Sequence, residues 1–198
     1  MIVIGIDPAS DGSACIMRET NVLVSVAWSR KTRSKNKIKY TTHDVSISVY
    51  GDDEIKKVQC KTGADIGAQI GAYVSLYKQS DDEPFVIASE DAYIGRNKHT
   101  GLIVARFAGL VVGALHCYTR AQTNIVWVKP TVWRWNVIRL KPATKREQCK
   151  IASLRYVPTK APTINEHLDK LGKLDHITDA TGVALYAYYE HQRNNTNS

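Results

Sequence analysis

The alternation of apolar and polar positions sorts most of this chain into elements. Ile2, Val3, Ile4 and Ile6 form an apolar run that suits a strand buried on both faces. It ends on Asp7-Pro8-Ala9-Ser10, an acid followed at once by turn residues. Residues 13–17 and 21–28 predict two more strands joined by Arg18-Glu19-Thr20, so the first three form an antiparallel meander. Residues 45–50 alternate as a short strand, and Gly51-Asp52-Asp53 marks a turn. Ile66, Ile70, Tyr73, Val74 and Tyr77 recur at near-helical spacing and predict an amphipathic helix over 62–79. Residues 85–89 predict a buried strand running straight into Glu90-Asp91, the second acid placed at a strand end.

The next helix, over 100–118, is apolar nearly all round, with Gly101, Ala105, Ala108, Gly109, Gly113 and Ala114 leaving little bulk on one side. A helix without a polar face must be covered on both sides. The sheet can take one; the other wants a second helix, and a second subunit is one source of it. A strand at 124–128 ends in Lys129-Pro130. Thr144, with Glu147 three residues later, reads as a capping box opening a basic helix. Pro158 and Pro162 bracket a loop. The last helix, over 174–191, carries Asp175, His176 and Asp179 in its first turns, and the Asn-rich residues 193–198 are expected to fray as a flexible tail.

Composition adds direction. A length of 198 residues with 43% apolar and 23% charged residues predicts a single globular domain, over 1–192, with a basic insertion near 29–61. The 27 Lys and Arg against 19 Asp and Glu leave a formal charge of +8, which favours an anionic partner such as nucleic acid. Six of those basic residues fall within 29–40, among them Lys31, Arg33, Lys35 and Lys37. That stretch is either a solvated hairpin tip or an arm that holds phosphates. Cys15, Cys60, Cys117 and Cys149 never form a C-x-x-C, so a zinc site is not expected, and three of them read as buried packing residues. Asp7 interrupts the N-terminal apolar run and Arg106 the long helix, so the expectation is a cytoplasmic protein with no membrane partner.

The order is three strands, helix, strand, helix, strand, helices, with acids at the ends of two strands and the start of the last helix. It resembles the ribonuclease H-like fold and, within it, the RuvC family of Holliday-junction resolvases, of which phages and large viruses carry short members. Four segments carry the resemblance: Ile4-Gly5-Ile6-Asp7-Pro8-Ala9-Ser10; Ser89-Glu90-Asp91-Ala92-Tyr93-Ile94-Gly95-Arg96-Asn97; Val128-Lys129-Pro130 with Lys145-Arg146-Glu147-Gln148; and His176-Ile177-Thr178-Asp179-Ala180.

The resemblance implies an α/β fold with a mixed five-stranded central sheet flanked by helices. It implies a homodimer that nicks branched DNA, four-way junctions above all, with two Mg²⁺ ions per site, Mn²⁺ as a substitute and no small-molecule cofactor. Asp7, Glu90, His176 and Asp179 would be the catalytic and metal-binding set. Such carboxylates suit Mg²⁺, which takes hard oxygen donors and keeps several waters. His176 matches the family position three before its last Asp; Asp175 shares a face with Asp179 equally well, and remains an additional acid or a helix cap. DNA would be held by Tyr93, Arg96, Asn97, Lys129, Lys145, Arg146 and Lys150, with the arm residues. Asp91 reads as a solvated loop acid. The longer stretch before residue 62 departs from the family and opens the choice of branched substrate. Three other classes compete: a related YqgF-type RNA nuclease, a catalytically silent branched-DNA-binding module, and an actin-like kinase, whose second lobe and Gly-rich phosphate loops 198 residues do not supply.

Overall fold

The structure is a computed structural model of the chain, and it describes residues 1–9, 11–30, 45–80, 82–91, 98–119, 124–172 and 174–196. Among these, seven strands make one sheet: β1 (Ile2–Asp7), β2 (Asp11–Arg18), β3 (Asn21–Arg30), β4 (Val45–Gly51), β5 (Glu54–Cys60), β6 (Phe85–Glu90) and β7 (Asn124–Val128). The helices are α1 (Gly63–Tyr77), α2 (Lys98–Thr119), α3 (Pro130–Ile138), α4 (Arg146–Lys160), α5 (Ile164–Leu171) and α6 (Leu174–Thr196). The spatial order is β5-β4-β3-β2-β1-β6-β7. β1 pairs antiparallel with β2 and parallel with β6, and β6 parallel with β7.

The expected meander and the two parallel strands are therefore in place, and this is the mixed sheet of a ribonuclease H-like fold. The expected five strands are corrected to seven. The β4–β5 hairpin adds to the outside of the meander, closed by Asp52 and Asp53, both at positive φ, as a tight two-residue hairpin requires. Lys56 and Lys57 had hidden β5 by breaking its apolar alternation, and exposed lysines on an edge strand also discourage pairing with other chains.

Each face of the sheet carries its own core. Ile2, Ile4 and Ile6 of β1 pack with Ile66, Ile70, Val111 and Leu115 from α1 and α2. Val3 packs with Val86, Ala88, Trp133, Val157, Ile177 and Val183 on the face covered by α3, α4 and α6. At Gly5 the sheet and α6 come closest: a Cβ there would stand 2.0 Å from the Ala180 carbonyl oxygen and 2.7 Å from the Ala184 nitrogen. The helix sits on bare backbone.

Several boundaries differ from expectation. Thr62 caps α1 from outside, in a full capping box with Asp65, so the helix spans Gly63–Tyr77 rather than 62–79. Thr144 does not cap α4: that helix starts one residue later, with Lys145 at the cap and the Thr144 hydroxyl bonded to the Lys141 carbonyl. α4 runs through Pro158 rather than ending before it, and α6 continues to Thr196, past the expected limit of 191. Two short segments went unpredicted: α3, whose apolar period is weak, and α5, whose Ile164–Leu168 period is clear but only eight residues long. Of the cysteines only Cys15 and Cys60 are buried; Cys149 is half-buried and Cys117 exposed. Gly101–Thr119 has the length and mean hydropathy, 1.6, of a membrane span, yet packs along α1.

At the end of the sheet where β1 begins, Arg18 and Glu83 form a clamp. The guanidinium donates from Nε to Glu83 Oε1 at 3.2 Å and from Nη2 to Oε2 at 3.0 Å, and also reaches the Tyr77 carbonyl. Burial opposes the Glu83 charge, but Arg18, the Gln79 N–H and the terminal ammonium outweigh it and bring its pKa down to about 2. A depressed carboxyl stabilises the fold above its ordinary pKa of 4.5 and stops doing so as pH falls toward 2. Glu83→Gln is expected to cost about 2 kcal/mol at neutral pH and almost nothing at pH 2. Urea melts of both proteins at the two pH values measure the difference; equal losses at both would dissociate the clamp from acid sensitivity.

Candidate active site

Strand parity decides which side chains meet. Gly5 lies opposite Ala88 across the parallel β1–β6 pair, and both belong to the face that α6 covers. Asp7 and Glu90 each follow by two residues, so they emerge side by side on that face at the carboxyl ends of their strands. Open α/β sheets place their ligands there.

Helix phase does the same for α6. Ala180 and Ala184 rest on Gly5, and His176, four residues before Ala180, continues that line toward β1. Its Nδ1 lies 2.8 Å from Asp7 Oδ2, and its carbonyl accepts from the Ser13 hydroxyl at 2.6 Å. Asp175 and Asp179 share the adjacent face, turned toward α4 and α3. Asp179 Oδ2 accepts from Arg134 at 2.9 Å, whereas Asp175 pairs with Lys150 and stands 4.0 Å from His176 Nε2. The pairing left open in sequence is thereby separated: His176 engages Asp7, and Asp175 bridges to α4.

α3 contributes two residues that sequence reasoning missed. The indole of Trp133, fully buried, donates to Glu90 Oε2 at 2.8 Å. Arg134 reaches Asp179 and stands 3.9 Å from Glu90 Oε2. The available signal was Pro130, which sits naturally at the first position of a helix, with Trp133 and Val137 four apart behind it.

Asp7, Glu90, Arg134, Asp175, His176 and Asp179 line a pocket of about 950 Å³, together with Lys129, Arg146, Cys149, Lys150 and Asp91, while Trp133 supports Glu90 from the core behind it. Burial, then the Asp7 and Asp179 charges, push the Glu90 carboxyl well above the usual carboxylate range, against the pull of Arg134 and Trp133. Asp179 is raised for the same first reason, burial, with Arg134 opposing. His176 is held above the usual imidazole value by its bond to Asp7. Carboxylates crowded in this way favour a bound cation. Asp179, whose carboxyl has the Ser153 hydroxyl as well as Arg134 beside it, keeps Oδ1 buried, a hard-oxygen donor of the kind a divalent ion takes. Even so, no three His, Cys, Asp or Glu side chains among the described residues already form a metal cage.

Asp7, Glu90, His176 and Asp179 are brought together, and Lys129, Arg146 and Lys150 line the same pocket. Lys145, at the cap of α4, is exposed and outside that lining. Tyr93, Arg96 and Asn97, and the arm residues Lys31, Arg33, Lys35 and Lys37, lie outside the described residues.

No family model matches the chain, and no curated protein does. Solved structures do. RuvC of Thermus thermophilus aligns over 98% of this chain and 97% of its own at 14% identity and a TM-score of 0.49. The same protein in complex with a Holliday junction substrate aligns over 97% and 96%, also at 14% identity, with a TM-score of 0.47. Fowlpox virus resolvase with substrate Holliday junction DNA aligns over 96% and 99% at 14% and 0.44. The likeness concerns fold, and the fold assignment itself stands on the strand order and directions given above.

Proposed function

We propose that this chain is a divalent-metal-dependent endonuclease that cuts branched DNA, with the four-way junction as its principal substrate. The observation that carries the reading is the convergence of Asp7, Glu90 and Asp179, from β1, β6 and α6, on one pocket whose rim bears Lys129, Arg146 and Lys150. A purely DNA-binding surface would gain nothing from carboxylates facing a phosphate backbone. With a cation they become useful.

Asp7, Glu90 and Asp179 would hold Mg²⁺, or Mn²⁺ in its place. Two such ions, when bound, activate a water and stabilise the leaving 3′ oxygen of an in-line displacement. The rest falls to the chain. Trp133 fixes the rotamer of Glu90, and His176 orients Asp7 and stands ready to accept a proton at its ring nitrogen. Lys129, Arg146 and Lys150 offer point charges to phosphates on either side of the cut. The net charge of +8 supports the same partner.

The deciding assay uses labelled four-way junction, flap, linear duplex and structured RNA, each with Mg²⁺ or EDTA. Paired symmetric nicks on the junction select the resolvase; flap cutting alone selects another branched substrate, and RNA cutting the YqgF-type activity.

Paired nicks call for two sites, and the proposed enzyme is a two-fold dimer built on α2. Leu102 and Leu110 of that helix are about half exposed, and open space lies over Gly109 and Gly113. Ile125 and Trp127 of β7 are exposed as well. Gly113→Glu fills space that the single chain leaves empty, so it should shift the protein from dimer to monomer in sedimentation and remove the dependence of its melting temperature on protein concentration. A parent that sediments as a monomer at micromolar concentration, with and without DNA, would remove the dimer from the proposal.

A further inference from the structure

We infer that Arg134 is the metal-free protein's own occupant of the cation position, and that a divalent ion binds by displacing its guanidinium from Glu90 and Asp179. The inference rests on the metal-dependent reading above and adds to it a residue of this chain and an exchange. One guanidinium nitrogen, Nη2, stands 2.9 Å from Asp179 Oδ2 and 3.9 Å from Glu90 Oε2. It thus sits between carboxylates delivered by two different elements. That is where a metal cage would have to form, and the positive charge there offsets part of the repulsion between these acids.

The mode of attachment suits an occupant that leaves. A structural arginine commonly grips a carboxylate with two parallel N–H···O bonds. Arg134 instead uses the same nitrogen toward both acids, and its Nε is buried without a hydrogen-bond partner among the described residues. An unmet buried N–H in an ion pair marks an arrangement that is not the best these groups can make. The guanidinium carbon lies 5.0 Å from the centroid of the Trp133 ring, so the flat cation has an aromatic wall to rest on. It also borders the open pocket, into which it can turn without unpacking a core. Once turned, it adds a fourth cation to Lys129, Arg146 and Lys150 on the side a phosphate backbone would occupy. Metal loading and the grip on DNA are then coupled through one side chain.

The test is Mn²⁺ binding to the full-length protein without DNA, followed by the electron paramagnetic resonance of free Mn²⁺. Arg134→Gln is expected to bind Mn²⁺ about tenfold more tightly than the parent. Lys150→Gln removes a cation from the same pocket but not from between Glu90 and Asp179, and should change affinity by less than about threefold, the long-range share of the charge. In EDTA, Arg134→Gln should melt below the parent, and saturating Mn²⁺ should erase the deficit. If that variant fails to fold in EDTA, the parent itself carries the test: the Arg134 side-chain N–H resonance, assigned by its absence in Arg134→Lys, should shift on saturation with Mg²⁺. Equal tightening by Arg134→Gln and Lys150→Gln, or an unmoved Arg134 resonance, overturns the exchange. If the parent binds no Mn²⁺, or Asp7→Asn binds it as the parent does, the metal-dependent reading fails first. Asp7-dependent binding that Arg134→Gln leaves unchanged sinks the exchange alone.

Discussion

Asp7→Asn is expected to lower the rate of junction cleavage on the order of 10³-fold while leaving junction affinity within about threefold of the parent. The substitution preserves shape at a buried position and removes the charge that His176 and a bound cation would share. Glu90 and Asp179 depend on the same ions, so adding a second substitution to the first should cost little more, because members of one catalytic unit do not contribute independently. Affinity should hold or rise, since a carboxylate facing phosphates has been neutralised. Single-turnover cleavage in Mg²⁺, beside gel-shift titrations in EDTA, measures both halves. Undiminished cutting by the Asn variant would mean that the chemistry lies elsewhere.

The second large effect is structural. Gly5→Ala is expected to destabilise the protein by about 3 kcal/mol or more, lowering its melting temperature by roughly 10 °C. The added methyl would lie 2.0 Å from the Ala180 carbonyl oxygen, and the obstacle is helix backbone that cannot rotate away. Relief requires α6 to lift from β1, which carries His176 away from Asp7. Junction cleavage should therefore fall even at temperatures where the variant is folded. If Gly5→Ala melts with the parent, α6 is not seated as described.

What could be read from sequence was whatever ends on a local signal. Asp7 and Glu90 each close an apolar run, and Asp179 lies near the start of a long amphipathic helix; that the three belong together was implied by the resemblance to RuvC-family resolvases, with element order in support. The choice between Asp175 and His176 was different. Two adjacent helical residues differ by about 100° in direction, and only the contact of Ala180 and Ala184 with Gly5 sets the phase of α6 against the sheet. Arg134 and Trp133 stayed hidden because α3 is nine residues long, with tryptophans on both its buried and exposed sides. β5 was masked by paired lysines on an exposed edge. Nor does any local pattern show that Tyr50 of β4 donates to Glu166 of α5, 116 residues away.

The seating of α6 also bears on how the protein is made. β1 begins at residue 2, yet one of its faces stays open until a helix that starts at residue 174 arrives to cover it. A nascent chain that has emerged from the ribosome only as far as α5 already carries Asp7 and Glu90, but neither His176 nor Asp179. It can pair β1 with β2 and β6 and still has half a pocket. Contacts this distant in sequence form late. Synthesis thus acts as a timer: a nascent chain that stops short of α6 holds only half of the proposed site, and the other half arrives when residues 174–179 have left the ribosome.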